Sequence, residues 1–208
     1  MKFIFYASLL SVLSITIGCS SNKTSIPAVK SYSPVKQKVT KTVDSMSGKA
    51  LYDAGQKAWY DNPLKSFELN VEAANKGYIE SNAVIGRLYE EGRGGVTQSN
   101  KLAIKYYKRG ASRGDSHAKY KLAKIYVYGK GVERKYSEAL RLYLEVVNTK
   151  GYIWDYEAEN EIGYMYLNGL GVKKDLNKAE YWFKQSYKHQ PNEVASDNLL
   201  LVKKMRNQ

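Results

Sequence analysis

One motif returns three times along this chain, and that return constrains the fold more than any other feature of its 208 residues. It reads Ser81-x3-Ile85-Gly86-x2-Tyr89-x2-Gly92, running on to Gly95-Val96. It returns as Ala118-x3-Leu122-Ala123-x2-Tyr126-x2-Gly129-Lys130-Gly131-Val132, and again as Ala158-x3-Ile162-Gly163-x2-Tyr166-x2-Gly169-Leu170-Gly171-Val172. After each glycine turn stands an Ala with large residues three and four places on: Ala103 with Tyr106-Tyr107, Ala139 with Leu142-Tyr143, Ala179 with Trp182-Phe183. A weaker, earlier copy has Ser66, Leu69, Ala73-Ala74 and Gly77. The anchors 66, 103, 139 and 179 are 37, 36 and 40 residues apart. Ala118, Leu122 and Tyr126 recur at every fourth residue, one stripe of a helix. Small residues in that stripe admit a second helix closely. Gly-x-Gly-Val reverses the chain, because glycine reaches backbone angles that a Cβ disfavours.

The combined pattern, Ala-x3-Leu-Gly-x2-Tyr-x2-Gly-x-Gly-Val followed by Lys-Ala-x2-Trp-Tyr, resembles the Sel1-like repeat, which is related to tetratricopeptide arrays. Lys178-Ala179 with Trp182-Phe183 is the nearest copy of its second half. The resemblance covers roughly residues 49–190 and implies an all-α fold: an α/α solenoid of about four helix-turn-helix repeats. The expected units are 49–80, 81–116, 117–156 and 157–192. Residues 193–208, with Val194, Leu199-Leu200-Leu201 and Met205, are expected to form a C-terminal capping helix, since an uncapped array exposes an apolar face. Three departures stand out. The first unit keeps only part of the motif. The turn from Gly92 to Gly95 carries one extra residue. The stretch from Gly151 to Tyr156 adds about four residues, which puts uniform curvature in question.

Met1-Lys2 and the apolar run Phe3 to Ile17 read as a signal peptide over residues 1–18. The run is shorter than the roughly 20 residues a membrane span needs. It ends Ile15-Thr16-Ile17-Gly18-Cys19-Ser20-Ser21, which resembles the bacterial lipobox, with Thr16 where Leu is usual. By that resemblance Cys19 takes the lipid, and Ser20 in place of Asp implies sorting to the outer membrane, facing the periplasm. Several acyl chains hold a protein stably where one does not. An ordinary cleaved signal peptide with an incidental Cys is the competing reading. Residues 19–48 follow as a tether. From Ser20 to Gly48 there are five Lys and one Asp, two Pro and few large apolar side chains, so the segment cannot bury enough to offset its ordering entropy. Its lysines either touch anionic lipid or simply keep a linker solvated.

With one Cys and two His, the chain has no intramolecular disulfide and no Cys- or His-rich metal centre. There is no Gly-x-Ser-x-Gly elbow, no His-Glu-x2-His and no Gly-x4-Gly-Lys-Ser/Thr. Gly92-Arg93-Gly94-Gly95 suggests a phosphate loop until its recurrence marks it as a repeat turn. His117 is taken as a surface helix residue, and His189 as a helix-end residue without catalytic role. Glu90-Glu91 and Glu157/Glu161 lack a companion base. No enzyme, cofactor, metal or small-molecule substrate is expected. Some cysteine-rich relatives are linked to β-lactam binding or cleavage, but their paired cysteines are missing here.

Charge carries what remains. Lys and Arg number 33 against 20 Asp and Glu, a net +13, which implies an acidic partner or an anionic surface. The excess is local: residues 81–116 carry 7 basic and 3 acidic side chains, residues 117–156 carry 8 and 4, and residues 157–192 carry 5 of each. The resemblance places first helices on a concave face. Beside their core stripe stand Glu80, Val84, Arg87 and Glu91, then His117, Lys121, Lys124 and Tyr128, then Glu157, Glu161, Tyr164 and Asn168, each set on one helical face. The expected partner-binding residues are Arg87, His117, Lys121, Lys124, Tyr128, Glu157, Glu161 and Tyr164, in a groove basic in the middle and acidic at one end. Solubilising charge is the competing reading. A second basic row, Lys101, Lys105, Lys108 and Arg109, lies on an outer helix. Nucleic acid is not expected, because the interleaved tyrosines fall at core positions and an export signal removes the chain from it. The resemblance implies a membrane-anchored scaffold or adaptor in the bacterial envelope that binds a protein. An alternative, drawn from exported relatives, is an immunity protein against a type VI secretion lipase.

Overall fold

Most helices of the array are started by a short polar side chain or stopped by a glycine, and these signals set the element order. The computed structural model describes residues 45–149 and 155–207. The signal peptide, Cys19 and nearly all of the tether lie outside the described residues, as does the stretch 150–154. The described residues are helical, without strands: α1 (Gly48–Lys57), α2 (Pro63–Asn75), α3 (Ser81–Glu91), α4 (Asn100–Ala111), α5 (Ser116–Tyr128), α6 (Tyr136–Val147), α7 (Asp155–Asn168), α8 (Leu176–His189) and α9 (Glu193–Arg206). Asn62 Oδ1 accepts from the Lys65 amide at 3.0 Å and precedes Pro63, which suits a first turn. Ser99, Asp115, Asp175 and Asn192 cap α4, α5, α8 and α9 in the same way. Gly92, Gly129 and Gly169 end α3, α5 and α7 in the left-handed region, at φ of 67°, 69° and 69°.

The turns are superposable hydrogen-bond circuits. The carbonyls of Tyr89, Tyr126 and Tyr166 accept from the amides of Ser99, Lys135 and Asp175 at 2.8, 2.9 and 2.9 Å. The first circuit is one residue longer, and the chain absorbs that residue by holding Gly94 and Gly95 both at positive φ (75° each).

Every helix packs on the next in sequence, so the array is an α/α solenoid of four pairs, α1/α2 to α7/α8, with α9 behind. In two of the pairs the contact is ring on glycine. Tyr107 and Phe183, both fully buried, project from α4 and α8 towards Gly86 and Gly163, and Tyr143, at the same motif position on α6, is equally buried. The first pair differs: Gly55 faces Asn70, whose Nδ2 donates to the Ser66 carbonyl at 2.8 Å, so a buried amide stands where later pairs have a ring. α3 also touches α5 directly, while α4 and α6 make no comparable approach, which puts the first helices on the inner row.

α9 meets both α8 and α7, as α5 meets α4 and α3, and so takes the first-helix place of a further pair. It covers Phe183, Ala179 and Leu167 with Val202, Leu199 and Met205. Val194, Leu200 and Leu201, expected to close the array, face solvent instead. The buried stripe runs through Val202, which is one residue out of register with the Leu run.

Candidate functional site

Arg87 on α3, His117, Lys121, Lys124 and Tyr128 on α5, and Glu157, Glu161 and Tyr164 on α7 lie on three successive inner-row helices. The structure brings neighbours among them within electrostatic reach. Arg87 acts on both His117 and Lys121, Lys124 acts on Lys121 and Glu161, and Tyr128 senses Glu161 and Tyr164. The row is continuous, so the eight expected residues form one surface. Val84, in the same register, is buried and takes no part.

Its N-terminal end is built on a residue the sequence reading passed over. Trp59, in the α1–α2 turn, is buried, and the Arg87 guanidinium sits 4.2 Å from its ring centroid with that of Arg93 at 5.1 Å. Arg93 also donates to the Trp59 carbonyl at 3.2 Å. Arg87 donates from Nε to Glu91 Oε1 at 2.7 Å, and Arg93 lies 3.5 Å from the other oxygen. Arg87 is therefore held by a ring and a carboxylate. Trp59 stands outside the repeat motif. The available signal was a tryptophan in a short polar turn.

Two corrections follow. His117 is only partly exposed: burial, together with Lys121 and Arg87, depresses its imidazole to about 4. Nor is the middle of the row purely basic. Glu90 and Glu91 both face Lys121. Glu90 accepts from the Tyr107 hydroxyl at 2.8 Å and has Lys130 at 3.8 Å.

The C-terminal part is acidic and phenolic. The Tyr120 hydroxyl donates across the repeat boundary to Glu157 Oε2, and Tyr156 donates to Oε1 at 3.3 Å. Burial raises Glu161, and Glu157 adds to the rise against the pull of Lys124. Tyr128 and Tyr164 stand half-exposed, at 50% and 42%. Lys121 and Lys124 make no ion pair within 4 Å among the described residues, though the Lys124 ammonium lies 5.5 Å from the Tyr120 ring. Burial lowers Lys121, with Arg87 and Lys124 adding to the effect and Glu90 and Glu91 opposing it. His189, on α8, pairs with the buried carboxylate of Glu159 at 2.8 Å. No group of three or more His, Cys, Asp and Glu is placed to hold a metal among the described residues.

The model of the Sel1 repeat matches residues 79–115, 116–145 and 157–190. The chain carries three Sel1 repeats. A solved structure of a Sel1 repeat protein from Oxalobacter formigenes superposes with a TM-score of 0.63 at 25% identity, covering 73% of this chain and 62% of that one. Among curated relatives, the chitin synthase regulator SKT5 of Saccharomyces cerevisiae is 29% identical over 123 residues, covering 58% of this chain. HRD3 of Candida glabrata, an ERAD-associated E3 ubiquitin-protein ligase component, is 34% identical over 88 residues, covering 42%. The Sel1-repeat chain spans 17% of the first and 10% of the second. The matched residues hold α3 to α5, most of α6 and α7 and all of α8, and with them the inner row from Arg87 to Tyr164.

Proposed function

We propose that this Sel1-repeat chain is a non-catalytic adaptor that binds a protein partner with an acidic surface along its inner row, held at the bacterial envelope by lipid on Cys19. The observation that carries the binding reading is the row itself: three successive inner-row helices present cations, carboxylates and half-exposed tyrosines, and two of the cations have no ion-pair partner among the described residues. Charge ordered in this way favours association with a partner of matching pattern and speeds the encounter. Relatives named as a chitin synthase regulator and as a ubiquitin ligase component fit a repeat that serves other proteins. The anchor rests on the run before Cys19 and on its lipobox-like residues. The outer membrane, periplasmic side, is the location this implies.

The test is capture of envelope proteins by the tagged chain beside its Lys121→Glu/Lys124→Glu variant, with bound proteins identified by mass spectrometry. A resident envelope protein that the reversal loses supports the adaptor. A secreted lipase that the reversal loses makes the chain an immunity protein instead. A set unchanged by the reversal refutes the inner-row reading. Cys19→Ala is expected to abolish acyl labelling and release the chain from membranes, and retention would refute the anchor.

A further inference from the structure

The inner row contains two lysines that make no ion pair within 4 Å among the described residues, and the reason lies in where the nearby acids are spent. Glu91 is held by Arg87 at 2.7 Å and by Arg93 at 3.5 Å. Glu90 takes the Tyr107 hydroxyl at 2.8 Å on one oxygen and faces Lys130 with the other. Glu157 is occupied by two phenols, those of Tyr120 and Tyr156. Glu161 makes no ion pair among the described residues, and burial beside Glu157 favours its protonated form. Lys121, on α5, is partly buried, and Arg87 and Lys124 add like charge to it against the opposing pull of Glu90 and Glu91.

A cation drawn out of water needs a counter-charge, and like charges beside it raise the cost of going without. Arg87 cannot swing away to relieve Lys121, because Trp59 and Glu91 hold it. Beyond Lys124 along the same face come Tyr128 and Tyr164, rigid rings with one side open to solvent. The array thus offers an unanswered positive charge followed by an aromatic ledge.

Taking the inner row as the partner surface, we propose that Lys121 and Lys124 form the seat for side-chain carboxylates of an extended acidic segment of the partner, whose next apolar residue lies on Tyr128 and Tyr164. Arg87 is a positioning residue: it denies Lys121 an internal partner and keeps its ammonium turned to the groove. The segment runs along the row with its acidic end towards α3 and its apolar end towards α7.

The probes are the peptides acetyl-Ala-Glu-Glu-Leu-Ala-amide and acetyl-Ala-Gln-Gln-Leu-Ala-amide, added to the full chain with its lysine side chains followed by NMR. The Glu peptide is expected to shift the Lys121 and Lys124 signals saturably and to raise the titration midpoint of Lys121, leaving Lys101 and Lys105 on α4 unmoved. The Gln peptide is expected to do neither. Lys121→Met weakens the Glu peptide by about tenfold or more, and Lys105→Met leaves it unchanged. Lys124→Met is the second variant should Lys121→Met alter the fold. Equal movement of Lys101 and Lys105, equal binding of the Gln peptide, or unchanged affinity in both Lys→Met variants overturns the seat. If the seat fails but Tyr128→Ala still weakens capture of the envelope partner, the inner-row reading stands with a different anchor. If that capture is also unaffected, both fall.

Discussion

Gly163 shows how closely a single residue is specified in this array. A Cβ built there lies 2.6 Å from the Phe183 ring, and one at Gly86 lies 2.7 Å from the Tyr107 ring. Two effects oppose each other in Gly163→Ala. Alanine favours the helix by about 1 kcal/mol, while forcing a methyl into a filled contact costs about 1–3 kcal/mol. The ring is flanked by core on both helices and cannot withdraw freely, so the clash wins and the thermal midpoint falls. Phe183→Leu in the same chain should recover part of the loss, because the two substitutions share one contact. A Gly163→Ala chain that melts at or above the parent would show that Phe183 moves aside. The glycines and alanines of the motif were legible in the sequence because they recur. Gly55 and Asn70 were not, since the first pair replaces the ring with an amide and breaks the pattern by which the others were found.

At the scale of one helix, the N-terminus of α5 sets two titrations against each other. Burial pushes the Asp115 carboxyl up to about 6, against its capping bonds from the amides of Ala118 and His117 and despite Lys119. His117, two residues on, is depressed to about 4 by burial, with Lys121 and Arg87 adding to it. For Asp115 the folded state holds the proton more tightly, so its contribution to stability falls as pH rises from about 4 to 6. For His117 the unfolded state holds the proton more tightly, so its contribution rises over about 4 to 6.5. The slopes nearly cancel in the parent. Asp115→Asn keeps a capping oxygen and leaves only the rising slope, while His117→Gln leaves only the falling one. Urea unfolding at pH 4, 5 and 6.5 should show the two variants diverging in opposite directions from the parent, by about 1–3 kcal/mol across the range. Parallel curves would show that neither group titrates in this window.

Across the molecule, each helix contacts its sequence neighbours and little else, so stability passes from pair to pair. The last pair depends on α9. Val202, 1% exposed, lies against Phe183 and Leu167 and is the residue through which that helix is held. Val202→Asp buries an unpaired carboxylate there and should detach α9. Amide exchange is then expected to quicken in α7, α8 and α9 while α3 to α6 keep their protection. Equal loss of protection through α3 to α6 would show that the array unfolds as one unit. The cap itself was foreseeable, since a solenoid must end. Its buried face could not be read from the Leu run alone, because helical geometry selects Leu199, Val202 and Met205.

Periodicity determined the helix pairs, their turns and the residues of the inner row, because a motif that recurs every 36 to 40 residues must be packed the same way each time. Stacking decided the rest. Trp59 beneath two arginines, the partial burial of His117 and the Tyr120–Glu157 bond arise where one repeat meets another, and Glu90 and Glu91 are committed mainly to Tyr107, Arg87 and Arg93 of their own repeat. A charge's worth depends on what surrounds it. A linear pattern shows that Lys121 is basic, and only the packed structure shows that it is partly buried and makes no ion pair within 4 Å among the described residues.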